Sequence, residues 1–167
     1  PEGDAGTGMV ATNSVAPRTA NVSAGTSIFG MVVLEKALRG RYPEIDVLAS
    51  PTGRTVAMSH ANTCTSDINA WVELLGGDYD RLFRESLRGA ADCGGVTTVP
   101  YVSGEHVTHV AEGRPLVLRE PGADFSLANF MRANVYSAFA TMILGLGILR
   151  PEKVRIESVT GHGGIFK

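Results

Sequence analysis

Three stretches of this chain carry residues whose types and spacing could do chemistry together: Asp4, the turn Ala24-Gly25-Thr26-Ser27, and the glycine-rich segment Gly161-His162-Gly163-Gly164. A glycine-rich turn that follows an apolar or β-branched run lets successive backbone N–H groups line up on an anion. A carboxylate flanked by small residues can take the proton of an attacking hydroxyl. One carboxylate with two such cradles implies phosphoryl transfer to an alcohol, with donors around the β- and γ-phosphates and Mg2+ between them. Each feature also has a plainer reading. An Asp within Gly3-Asp4-Ala5-Gly6 is an ordinary turn former, Gly25-Thr26-Ser27 closes any hairpin, and Gly163-Gly164 ends any strand.

The elements that must position these residues follow from local patterning. After the Gly3-Asp4-Ala5-Gly6 turn, Met9 to Asn13 holds at most a short helix, which Pro17 ends. Asn21 to Ala24 and Ile28 to Leu34 read as strands joined at Gly25-Thr26-Ser27, and Val47 to Ala49 with Thr55 to Ser59 as a second hairpin around Pro51-Thr52-Gly53. From Thr65 the period becomes helical, with Ile68, Trp71, Val72 and Leu75 on one face and Gly76-Gly77 as the stop. Asp78 caps a further helix carrying Leu82, Phe83 and Leu87, whose Arg81, Arg84 and Arg88 form a solvated stripe beside Glu85. Gly94 to Gly122 reads as irregular apart from extended pieces at Val96 to Pro100 and Pro115 to Arg119.

Ser126 caps the longest helix, whose buried face is predicted to be Leu127, Phe130, Met131, Val135, Phe139, Met142, Ile143 and Leu146. Val154 to Val159 then reads as a strand running straight into the Gly161 loop.

Composition bounds the partners. The chain has 167 residues, 44% hydrophobic and 19% charged, with a net charge of −2, so it fits one globular domain with no broad attraction to nucleic acid or acidic membranes. Its most apolar run, Val135 to Leu149, is broken by Ser137, Thr141, Gly145 and Gly147 and is too short to cross a bilayer. Cys64 and Cys93 read as free thiols in a reducing, cytoplasmic setting. His106 and His109 sit three apart without the order or companions of a metal site, so no metal ligand is assigned; His60 and Trp71 read as core or cleft residues.

Taken in order, Gly3-Asp4, Gly25-Thr26-Ser27 and Ser158-Val159-Thr160-Gly161-His162-Gly163-Gly164 resemble the nucleotide-binding half of the FGGY carbohydrate kinases, within the sugar kinase, Hsp70 and actin superfamily. Thr26 follows Asp4 by 22 residues, as that family's spacing has it, and Thr65 to Trp71 and Gly94-Gly95-Val96-Thr97-Thr98-Val99-Pro100 resemble its Trp-bearing helix and Gly-Val-x-x-x-Pro segment. The resemblance implies an α/β, ribonuclease H-like (actin-like ATPase) fold, a mixed sheet with antiparallel hairpins and packed helices.

It also implies roles: Asp4 as general base; Thr26 with the N–H groups of Gly25 and Ser27 on the β/γ-phosphates; Gly161, Gly163 and Gly164 by the α-phosphate or ribose; and Ser66 on the adenosine side or as a simple helix cap. ATP and Mg2+ are the implied cofactors. The expected partner is a sugar, most resembling the xylulose or ribulose branch, with a homodimer as a possible assembly. The chain begins at Pro1 inside the Gly-Asp motif and stops after the glycine loop, so residues 1–167 read as a partial C-terminal lobe of a two-lobed kinase, inactive alone, without the N-terminal sugar-binding lobe and the final helices. A departure from the family is His162, where small or polar residues are commoner. The alternative function is a non-catalytic nucleotide-binding module or an ATPase of the same superfamily; a small β-rich binding domain is a third.

Overall fold

The computed structural model describes residues 4–166, and of Asp4 the backbone. Seven strands and four helices form in the order α1 (Asp4–Ala11), β1 (Thr19–Ala24), β2 (Ile28–Val33), β3 (Asp46–Ala49), β4 (Thr55–Ala61), α2 (Thr65–Leu74), α3 (Tyr79–Ser86), β5 (Val96–Val99), β6 (Leu116–Arg119), α4 (Leu127–Ile148) and β7 (Ser158–Gly163). The main sheet has the order β3-β4-β2-β1-β7, antiparallel throughout except where β7 joins β1 in parallel. It is the mixed sheet of the expected α/β class.

Alternation along β2 shows why the sheet is covered on both faces. Ile28 and Val32 point into the clusters beneath α4, whereas Met31 and Val33 point into a separate cluster with Met9 of α1 and Val56. Helix α4 lies across β2 and β4, and α2, α3 and the β5–β6 ribbon pack around it. Gly30 of β2 has no side chain because Met142 of α4 occupies the space, with Cγ 2.8 Å from where a Cβ would be. Each apolar side chain fully removed from water here contributes about 1.5–3 kcal/mol, so the two-sided covering is what holds the sheet.

Asp78 caps α3 by accepting from the Arg81 N–H at 2.9 Å, and Ser126 caps α4 by accepting from the Asn129 N–H at 3.3 Å, as their side chains predict. Two expectations change. Helix α1 begins at Asp4, so Asp4, Ala5 and Gly6 are helical and not a free-standing turn, Gly3 lying outside the described residues; Met9 fully buried against the sheet supplies the packing that offsets the two glycines within the helix. The buried face of α4 also differs, because that helix is enclosed by the sheet on one side and by α3 and β5 on the other. Asn134, Ser137, Ala138, Thr141 and Gly145 are buried there, while Ile143 is 60% exposed and Val135 half-buried. Two of the buried polar groups find partners across the gap: Thr98 donates to Ser137 Oγ at 2.9 Å, and Tyr101 and Thr141 share a hydroxyl bond at 3.0 Å; Asn134 instead donates within α4, to the Phe130 carbonyl at 2.9 Å.

Candidate active site

The β1–β2 turn is stapled to the start of α2. The Gly25 carbonyl accepts from the Thr65 hydroxyl (2.9 Å) and the Thr65 N–H (3.2 Å), and the Thr26 carbonyl accepts from the Cys64 N–H (2.8 Å). Ser27 Oγ donates to the Asn62 carbonyl at 3.3 Å. With both carbonyls turned inward, the exposed side of the turn is left with N–H groups. The Gly25 N–H is already donated to the Ser27 carbonyl, at 2.9 Å. Among the described residues, the N–H groups of Thr26 and Ser27 reach no protein acceptor.

The start of α2 adds further donors. Its N-cap, Cys64, makes no side-chain cap bond, so the first-turn N–H groups beyond Thr65 have no side chain closing them off. Burial pushes the Cys64 thiol up to about 11 and pushes the Asp67 carboxyl up, the latter opposed by the Trp71 indole N–H at 3.2 Å. Ser66 Oγ is buried with no hydrogen-bond partner among the described residues, so it is not acting as the helix cap.

On β7, the glycines divide by role. Gly161 and Gly163 are strand residues, not parts of a loop, because the parallel ladder with β1 continues through Val22↔Gly161 to Ala24↔Gly163. Gly161 is covered by Phe166, whose ring atoms would stand 2.6–2.9 Å from an added Cβ. Gly163 has a φ of +120, and a Cβ there would press into the Ala24 backbone. Gly164 opens the short 3-10 turn Gly164–Phe166 and faces open space. The register thus sets Gly163 and Gly164 beside the Gly25-Thr26-Ser27 turn.

Helix α1 runs along the opposite face of the same strands. Near its C-terminal end, Thr12 accepts from Asn21 Nδ2 (2.7 Å) and shares a hydroxyl bond with Ser14 (3.0 Å), which in turn bonds Thr160 of β7. One turn back, Gly8 is buried against the His162 ring. Passing from Thr12 to Gly8 therefore follows β7 from Thr160 to His162. Asp4 lies one more turn along, about 6 Å at 1.5 Å per residue, toward the end where Gly163 and Gly164 stand. Its side chain lies outside the described residues.

A model of the FGGY family of carbohydrate kinases, C-terminal domain, matches residues 20–167. The chain belongs to this family. The FGGY domain is 24% identical over 162 residues to the xylulose kinase of Haemophilus influenzae, covering 97% of this chain and 33% of that protein. Among solved structures it superimposes on xylulose kinase from Bifidobacterium adolescentis with a TM-score of 0.81 (22% identity, 96% of this chain, 32% of that one). It superimposes on Plasmodium falciparum glycerol kinase with ADP at 0.80 (14% identity, 98% and 34%), and on gluconate kinase from Lactobacillus acidophilus at 0.76 (12% identity, 95% and 33%). The domain spans about a third of the length of these relatives. The fold is the actin-like ATPase fold.

Register also assembles a row on the α1 face of the FGGY domain, one residue short of the turns: His162, Ser23, Phe29 and His60 pair across adjacent strands. Phe29 and His60 stack with centroids 4.4 Å apart, and burial, then the neighbouring His106, lowers the His60 pKa against the pull of Glu105 and Asp46. His106 turns to Glu105 (3.4 Å) and His109 to Glu44 (3.1 Å), and no group of three or more His, Cys, Asp or Glu among the described residues is placed to hold a metal ion. The contacts that pattern reading missed are those of Thr65 with the Gly25 carbonyl and of Gly8 with the His162 ring. A glycine inside a helix costs about 1 kcal/mol against alanine, and that cost at Gly8 was the available signal of a close approach.

Proposed function

We propose that this domain is the nucleotide-binding lobe, residues 1–167, of a two-lobed kinase that transfers the γ-phosphoryl group of ATP to a sugar hydroxyl. The observation that carries the reading is the shared end of β1 and β7. There the free N–H groups of Thr26 and Ser27, the open space at Gly164 and the uncapped start of α2 converge, with the N-terminus of α1 directed to the same end. These residues suit a polyphosphate: N–H donors and a helix N-terminus favour anions, and a glycine lets backbone approach them.

In this reading Thr26, Ser27 and their backbone donors hold the β- and γ-phosphates, while Gly163, Gly164 and Ser66 lie toward the α-phosphate and nucleoside, with Gly161 supporting them from within the strand. Mg2+, arriving with the nucleotide, would supply charge neutralisation, and its preference for water and phosphate oxygens would ask for no all-protein cage. Asp4 is the base. Its carboxylate takes the hydroxyl proton as the sugar oxygen bonds the γ-phosphorus, the bond from that phosphorus to the β,γ-bridging oxygen breaks, and ADP leaves. A ketopentose such as xylulose is the proposed acceptor, supported by the likeness to xylulose kinases.

The test is sugar-dependent ADP release by the two-lobed polypeptide across ketopentoses, polyols and hexoses. Asp4→Asn is expected to lower kcat on the best sugar by about 10²–10⁴, the usual weight of a general base, with KM for ATP little changed. Intact sugar-dependent turnover in Asp4→Asn would refute the mechanism. ATP hydrolysis indifferent to every sugar would favour the ATPase alternative.

A further inference from the structure

The packing of Gly8 against His162 joins the helix that starts at Asp4 to the strand that ends at Gly163. Gly8 is buried, and a Cβ built on it would overlap the His162 imidazole, with Cδ2 still only 2.7 Å away. The ring's Nε2 is buried there and reaches no hydrogen-bond partner among the described residues, so shape and not a polar bond at that atom makes the contact. Below it, Thr12, Ser14, Asn21 and Thr160 pin the other end of α1 to β1 and β7. Two anchors one helical turn apart define a line, and the line sets how far the N-terminus of α1 stands from Gly163 and Gly164.

We propose that His162 is a positioning residue: its ring is the steric stop that sets the height of α1 above β7 and so the place of Asp4 relative to the phosphate-binding turns. The inference rests on the kinase reading above and adds to it a residue that touches neither substrate. Without the ring, α1 settles toward the strand and the base moves off line; with a methyl on Gly8, α1 is pushed away. A misplacement of about 1 Å is enough to cost about 10²-fold in rate. The glycine turns are held by the β1–β7 ladder and by Thr65, so nucleotide binding is insensitive to the same change.

The experiment is steady-state kinetics on the two-lobed polypeptide with the best sugar, alongside thermal unfolding of each variant. His162→Ala is expected to lower kcat about 10²-fold with KM for ATP nearly unchanged, and Gly8→Ala to do the same. His162→Phe, which keeps a flat ring, should retain most of kcat. The double variant Gly8→Ala with His162→Gly should recover kcat lost by Gly8→Ala alone, and it carries the test if that single variant fails to fold.

Given an active wild type, an unchanged kcat in His162→Ala overturns the inference and leaves the kinase reading standing. A rise in KM for ATP matching the fall in kcat, a His162→Phe loss as deep as that of His162→Ala, or a double variant without recovery each overturns it as well. A wild type without sugar-dependent turnover overturns the kinase reading, and the inference with it.

Discussion

Gly163 and Gly164 are neighbours in sequence with opposite structural demands, and substituting each with alanine separates them. At Gly163 the backbone has a φ of +120, and a Cβ would stand 2.7 Å from the Ala24 carbonyl carbon and 3.1 Å from the Ala24 nitrogen. A non-glycine residue in such a region costs about 1–3 kcal/mol. Relief requires β7 to draw away from β1 at the Ala24↔Gly163 pair, which loses about 1 kcal/mol for a weakened ladder hydrogen bond. Gly163→Ala should therefore destabilise by about 2–4 kcal/mol, a fall in Tm on the order of 4–16 °C for a domain of this size.

Gly164 has nothing within 4 Å of an added Cβ. Gly164→Ala should shift stability by no more than about 0.5 kcal/mol. If Gly164 lies where backbone approaches a phosphate, Gly164→Ala nonetheless weakens nucleotide binding, seen as a smaller thermal shift on adding ATP. Thermal and urea unfolding of both variants, with and without ATP, measure all of this. Equal stability losses at the two positions, or a Gly163→Ala protein as stable as wild type, would refute the assignment of Gly163 to strand geometry and Gly164 to open space.

Two further outcomes are expected from buried groups away from the site. Glu152 accepts from the Gly40 N–H (2.8 Å), the Arg39 N–H (3.1 Å) and the Tyr42 hydroxyl (2.8 Å), which together hold its carboxyl down to about 2 against the opposing effect of burial. A carboxylate with a depressed pKa stabilises the fold above its ordinary range and loses that contribution as pH falls. The Tm of wild type should thus exceed that of Glu152→Gln at neutral pH, with the gap closing as pH drops from the ordinary carboxylate range toward about 2. A gap independent of pH would count against the ionised tether. Cys64 is fully buried with its thiol pushed up to about 11, so a thiol reagent at pH 8 should label it only in denaturant; rapid labelling of the native protein at Cys64 would contradict its burial.

The local chemistry of the chain determined much of its outline. Asp78 and Ser126 announce helix starts because their oxygens satisfy N–H groups two or three residues on, and Gly25-Thr26-Ser27 and Pro51-Thr52-Gly53 announce hairpins because few other residues close such turns. The resemblance carried by Gly3-Asp4, Gly25-Thr26-Ser27 and the segment Ser158 to Gly164 pointed to the carbohydrate kinase family, which the match over residues 20–167 bears out. Other features depended on partners far along the chain. Gly161 is a strand residue because the ladder with Val22 continues past it, and Asp4 opens a helix because Met9 finds a buried site on the sheet. Ser137 and Thr141 of α4 are buried with their hydroxyls satisfied because Thr98 and Tyr101 come to meet them.

What only the tertiary structure decided is which pieces meet: the pairing of Ala24 with Gly163, and of Gly8 with the ring of His162. Caps, turns and alternation are fixed by interactions within a few residues, so the amino-acid order alone expresses them. Register between distant strands and the height of a helix above a sheet are set by the shapes that fill the space between them, and those shapes exist only once the chain has folded.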